Sequence, residues 1–319
     1  MREEKLGFGI ILRIGVSLIP LLFGYSLPAV IWCAFNIAMS FIVYGPLTSI
    51  VSSLCAVCIS MFFCSFFGEG AKLEGLFIAL QAIMCAAACV YTVAGRKKFF
   101  HGVWLASIGY LIPSFLSVKN AASEMGLSVA QYLTDLPFQM TKAEIMAGMS
   151  DPALEMYTGE AEKILELLHY ALMILVPATL IISSVVVGYV IMWCVTARLR
   201  TLPIRVEHSF SEIKIPRFMI AFTVLSLVVS LIPFGEVSAV ALNVFVVLVS
   251  FLFFAGISFV EFFMRKKLNN GFIRGIIHLA IFFSLSAVAG VIYVLIAVID
   301  AFCDFRKIKK RRQVCETEE

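Results

Sequence analysis

A few side chains in this sequence are of types that do acid–base or ion-binding chemistry while standing in otherwise apolar surroundings: Arg13, Asn36, Asn243, Glu261, His278, Asp300 and Asp304. Polar groups in such surroundings are expensive in lipid and turn toward a bundle interior or a pathway. Asp300 and Asp304 lie four apart, on one face of a helix. Two carboxylates so placed can hold a cation or exchange a proton. Arg306 and Lys307 follow at once, and six of the seven residues from Arg306 to Arg312 are basic. Cations are favoured at a helix C-terminus. The favoured reading is therefore a structural charge cluster that ends the last helix at a membrane interface and lays the tail on anionic headgroups, at about 1 kcal/mol per basic residue. On that reading Asp300→Asn should do no more harm than Asp304→Asn.

The other polar residues also have structural readings. Glu261 precedes Arg265 by four, a helical ion-pair spacing. His278 is a lone histidine that satisfies a neighbour or relays protons. Asn243 suits an interhelical hydrogen bond, and Asn36 stands in a similar setting. Arg13, about two turns into the first apolar segment, either snorkels to the headgroups or anchors an anionic ligand. Cys55 and Cys58 form a C-x-x-C inside an apolar run, where cysteine acts as a small packing residue. The chain carries no H-E-x-x-H, P-loop or G-x-S-x-G pattern. The expectation is no enzyme, no metal site and no cofactor.

The elements that must position these residues are membrane helices. Hydrophobic residues make up 61% of the 319 and charged residues 14%, against about 25% charged in soluble domains. Continuous apolar runs recur along the chain, each long enough to span a bilayer as a helix. The fold class is an all-α polytopic membrane protein of about nine crossings, within a range of roughly eight to ten. Residues 1–200 read as six crossings, broken by an extracytoplasmic segment over 119–166 that holds eight acids against three lysines. Within that segment Met125, Val129, Tyr132, Leu133 and Leu136 fall at helical spacing. Thr141 with Glu144 reads as a capping box, and Asp151-Pro152 as a helix start. Residues 201–217 are a basic loop, 218–304 the C-terminal membrane helices, and 305–319 a basic, then acidic tail. The first apolar segment contains Arg13 and lacks a small-residue cleavage site, so no removable leader is expected.

Basic residues set the orientation. Arg96 to Lys98, Arg198 to Arg217 and Arg265 to Lys267 go to the cytoplasm, which places the N-terminus inside and 119–166 outside the membrane. The stretch 272–302 is long for one crossing and short for two. A single crossing would export the basic tail; a short hairpin bending in the small-residue run Ser284 to Gly290 would keep it cytoplasmic, and the hairpin is favoured.

The last quarter carries a resemblance. Asn243 in an apolar helix, then Ala255-Gly256-Ile257-Ser258-Phe259, a basic stop, and Ile299 through Lys307 resemble the YybS-like family of predicted bacterial membrane proteins, a domain of unknown function. Asp300, Phe302, Asp304, Phe305, Arg306 and Lys307 match its pattern, and Cys303 departs from it. The resemblance implies a remote similarity to the substrate-binding S-components of energy-coupling-factor transporters, with residues 1–200 as the six-helix bundle; the crossings after 200 do not belong to a plain S-component. It implies a small-solute or vitamin-type transporter subunit, with a non-transporting membrane scaffold or regulatory partner as the alternative. The partners it implies are the lipid bilayer, other membrane subunits and a membrane-bound cyclic-di-nucleotide phosphodiesterase. Nucleic acid is not expected.

Overall fold

The computed structural model describes residues 27–65, 71–95, 97, 99–135, 138–139, 158–199, 210–233, 235–303 and 305–306. Among these no strand occurs, and the chain divides into two compact units, Met1–Glu207 and His208–Glu319.

The first unit contains α1 (Leu27–Tyr44), α2 (Pro46–Ser65), α3 (Ala71–Ala94), α4 (Phe99–Glu124) and α5 (Thr158–Leu199). Gly45, at φ 93°, turns α1 into α2, and Pro46 opens α2, where its missing N–H forfeits no helical bond. The buried core is built from small and sulfur-bearing side chains, among them Cys33, Ala34, Ala38, Cys85, Ala86 and Cys89, closed by Ile191, Met192 and Val195. Small residues let membrane helices approach closely, since lipid offers no hydrophobic drive between them. Gly188 of α5 shows this, because a Cβ there would meet Ser107 and the Val103 carbonyl of α4. Outward-facing Leu47, Leu54 and Leu172 are exposed, which is tolerable because the solvent on that side is lipid.

The amphipathic element after α4 is present over 129–135. It starts on a reciprocal cap: Ser128 N–H donates to Gln131 Oε1 at 3.0 Å and Gln131 N–H to Ser128 Oγ at 3.2 Å. The other cap expected from the sequence, Thr141 with Glu144, and the start at Asp151 lie outside the described residues. Asp135 Oδ1 lies 2.7 Å from His169 Nε2 of α5, and the Phe138 ring stacks on that imidazole at 4.3 Å. α5 has 42 residues, about 63 Å of rise against a hydrocarbon core of about 30 Å. It starts well before the crossing expected from residue 167, because the chain stays helical through the polar approach to the bilayer.

The second unit contains a 3-10 turn (Phe210–Glu212), α6 (Arg217–Ser230), α7 (Glu236–Lys267) and α8 (Gly271–Cys303). α8 is helical over 33 residues but cannot be straight. His278 Nδ1 lies 3.0 Å from Tyr293 Oη, yet residues 15 apart on a straight helix are separated by about 22 Å. The backbone therefore doubles back between them. The first arm leaves the short 268–270 connection and runs back along α7, with Arg274 against Glu261. The second arm runs the other way: Tyr293 sits at Phe253 and Gly256, while Phe305 and Arg306 sit at Phe259 and Ser258. These contacts follow the hairpin path expected for 272–302.

The reversal brings basic residues to one end of the unit. Arg217 at the start of α6 donates from Nε to Ala301 O at 3.2 Å and from Nη2 to Phe302 O at 3.1 Å. Arg265, Lys266 and Lys267 close α7, and Arg306 follows α8. The opposite end carries Gly235, at φ 56°, and Glu236.

Among the described residues, four helical stretches are long and apolar enough to cross a membrane: Leu73–Ala94, Phe99–Glu124, His169–Leu199 and Glu236–Lys267. Val30–Tyr44, Pro46–Phe62, Arg217–Ser230 and Val288–Cys303 are shorter apolar helices. The protein is a polytopic helical membrane protein.

Candidate functional site

The best-organised polar site is built around Arg306, where the chain leaves α8 and turns inward. Arg306, Asp300 and Ser258 are all buried. Arg306 donates from Nε and Nη2 to Asp300 Oδ2 at 3.0 and 2.6 Å. Its Nη1 donates to Ser211 O at 2.8 Å and Ser258 Oγ at 3.1 Å, and Nη2 also donates to Ile213 O at 2.6 Å. A guanidinium has five N–H donors in a fixed fork, and these five bonds use all of them. Ser258 in turn donates to Phe210 O at 2.7 Å, and the guanidinium lies 5.7 Å from the Phe259 ring centre.

Each partner has a local origin. Ser258 lies half a turn past Gly256 on α7, where it meets the 3-10 turn and Arg306. The Ser211 and Ile213 carbonyls come from a 3-10 turn and the extended residue after it, which turn them toward the guanidinium. Asp300 projects from the last full turn of α8. The result is a lock that joins the 3-10 turn, α7 and the end of α8 through one cation. Asp300 Oδ1 is buried and accepts no hydrogen bond.

Two expectations change here. Arg306 does not lie along headgroups; its charge is matched inside the protein by the Asp300 carboxylate and by the Ser211 and Ile213 carbonyls. Asp300 is neutralised by Arg306 alone among the described residues, and Asp304 and Lys307 lie outside them.

The lock falls at the C-terminal edge of a family match. The model for a predicted membrane protein, DUF2232, matches residues 16–301. The chain belongs to the DUF2232 family. Asn243, Gly256, Asp300 and the whole of α7 lie within the DUF2232 match, while Phe302 through Lys307 lie beyond it. No curated protein and no solved structure matches this DUF2232 chain.

A second polar cluster of the DUF2232 fold joins α7 to both arms of α8. Arg274 Nε donates to Glu261 Oε1 at 2.7 Å and its Nη1 to Leu268 O at 2.5 Å. His278 Nε2 stands 3.5 Å from Glu261 Oε2, close enough for an electrostatic contact but without a hydrogen bond. Beyond the Arg265 spacing read from the sequence, Glu261 pairs with Arg274 of α8. His278 does satisfy a neighbour, Tyr293. Here the imidazole, the phenol and the carboxylate hold the arms of α8 to each other and to α7.

Asn36 Nδ2 donates to Trp32 O and Asn243 Nδ2 to Ala239 O, each at 2.9 Å and four residues back on its own helix. Phe302 is exposed, with the Arg217 guanidinium 5.6 Å from its ring centre. Phe305 packs against Phe259 at 6.5 Å. Arg13 lies outside the described residues. Cys55 and Cys58 are both unbridged. Among the described residues, no three His, Cys, Asp or Glu side chains converge as metal ligands would.

Sequence reasoning missed Ser258, Arg217, Arg274 and Tyr293. Arg274 stood out in principle, as a lone cation opening a long apolar stretch. Ser258 lay inside a segment quoted for its family pattern, with nothing in its type to mark it as an arginine partner.

Proposed function

We propose that this DUF2232 protein is a non-enzymatic subunit of a small-solute, vitamin-type transport assembly in a bacterial plasma membrane. Residues 1–207 form the solute-handling bundle and residues 208–319 a docking module. The observation that carries this reading is the division after Glu207: it separates the part that resembles an S-component from the part that does not. The test is to purify the intact protein and measure thermal unfolding against a panel of vitamins and nucleosides, with mass spectrometry of any copurifying small molecule. A stabilising ligand is expected; a flat response across the panel with nothing copurified would reject the transport reading.

One observation favours the alternative, a scaffold or regulatory partner of other membrane proteins, among them a cyclic-di-nucleotide phosphodiesterase. Both polar clusters of 208–319 close on themselves and fix helices relative to one another, which suits a rigid docking surface. Crosslinking in cells from residues 305–319 should then capture a membrane or cytoplasmic protein.

The orientation we propose has both termini in the cytoplasm. It is supported by the gathering of Arg217, Arg265, Lys266, Lys267 and Arg306 at one end of the second unit and by the positive-inside bias. Single cysteines introduced at Glu155 and Lys97 test it. Impermeant maleimide added to whole cells should label position 155 and spare position 97; the reverse pattern would invert the topology.

A further inference from the structure

Between α6, α7 and the second arm of α8 lies an open cleft of about 550 Å³, within the range of roughly 300–1,000 Å³ that binds small ligands. It runs along α6 from Ile220 to Leu227, about 10 Å of helix. Its walls present carbon. The two hydroxyls that line it are turned back on their own helices: Thr223 Oγ1 donates to Met219 O at 2.8 Å and Ser250 Oγ to Val246 O at 2.9 Å. A dry, open slot inside a membrane-spanning unit fits an acyl chain and does not fit a polar solute.

A cation stands at one end of the slot. Arg217 lies one turn before Ile220, and it holds Ala301 and Phe302, one turn past Val298 on the opposite wall. Its guanidinium is anchored through Nε and Nη2 while the residue stays exposed, at the end of the unit where the other basic residues gather. We propose that this cleft is a binding site for one anionic phospholipid, its acyl chain in the slot and its phosphate on Arg217. The alternative occupant, a transmembrane helix of a partner protein, has no use for a single anchored cation beside an apolar slot.

Gly290 supplies a clean probe. It lines the cleft, and a Cβ there would meet nothing within 4 Å, so Gly290→Leu fills the slot without displacing the helices. The experiment uses the full chain in nanodiscs containing phosphatidylglycerol with a diazirine on its acyl chain, illuminated and mapped by peptide mass spectrometry. Adducts are expected on 220–227 and 290–298, with about fivefold preference over the matching phosphatidylcholine probe, the discrimination one cation near an anionic headgroup supplies. Gly290→Leu should remove the adducts. Arg217→Gln should abolish the headgroup preference while leaving labelling, and Arg217→Lys should keep the preference. Labelling spread evenly over outward residues such as Leu47 and Leu172, equal labelling by both headgroups, or adducts unchanged in Gly290→Leu would each overturn the site. If Gly290→Leu does not fold, the headgroup preference and adduct map of the unmodified chain decide alone. A polypeptide crosslinked in the cleft in place of lipid would assign it to a partner helix and overturn the proposal as well.

Discussion

Arg306→Gln is expected to destabilise the protein by about 3–5 kcal/mol, the range seen when one member of a buried ion pair is removed. The substitution leaves the Asp300 carboxylate buried without its cation and takes the guanidinium donors from the Ser211 and Ile213 carbonyls together. Glutamine offers one amide nitrogen and cannot reach all these acceptors. Arg306→Lys should fall between, since an ammonium keeps the charge but lacks the fork that serves Asp300, Ser258 and two carbonyls in different directions. Asp300→Asn should approach the glutamine variant, because a neutral amide leaves the guanidinium charge uncompensated. This reverses the ranking expected from the sequence, in which Asp300 mattered no more than Asp304. Unfolding in detergent and abundance in cells, measured together, check the order Gln, then Asn at 300, then Lys. The rival reading makes Asp300 a proton or cation site, for which its unpartnered Oδ1 is the motive. It predicts full abundance with complete loss of function in Asp300→Asn, and that result would remove the structural account.

Much of this site was legible, and the way it misled is instructive. The types and spacing of Asp300 and Arg306 announced a charge pair at the end of the last helix. What spacing could not convey was depth. A basic run after an apolar helix reads as a surface feature, because Lys and Arg near a membrane edge ordinarily reach for headgroups. Arg306 turns inward to donate to the Ser211 and Ile213 carbonyls, ninety-odd residues earlier. Nothing in the pattern of a short loop between two hydrophobic stretches says that its carbonyls will face an arginine. Glu261 shows the same gap: the i, i+4 rule looks only along its own helix, while Arg274 reaches it from the next one.

The path of α8 was legible for a different reason. Its length was wrong for one crossing and for two, and a basic tail on a single crossing violated the orientation of every other loop. Both signals are sums over many residues, so they survive local error. The cap at Ser128 was less legible, because Ser128 with Gln131 and Thr141 with Glu144 offer the same pattern a few residues apart.

The second large effect is expected at Gly256. A Cβ added there would overlap the backbone carbonyl of Tyr293 on the second arm of α8. That neighbour is main chain, so it cannot swing aside as a long side chain would, and the two helices must move apart. Overpacking typically costs about 1–3 kcal/mol, and Gly256→Ala should reach the upper part of that range, with Gly256→Val beyond it. The damage should also travel, since Tyr293 carries the bond to His278 and the edge contact to Phe253, and Ser258 of the arginine lock is half a turn away. Gly290, on the same arm of α8, is the matched control. An added methyl there finds open space, so Gly290→Ala should gain up to about 1 kcal/mol from the lower backbone entropy of alanine in the unfolded chain. The same chemical change should therefore destabilise at one glycine and stabilise at the other. Thermal unfolding of the two alanine variants, in one detergent and at one protein concentration, is sufficient to test this. Equal shifts at both positions would mean that α7 and the returning arm do not pack backbone to backbone, and the hairpin path of α8 would fall with that contact.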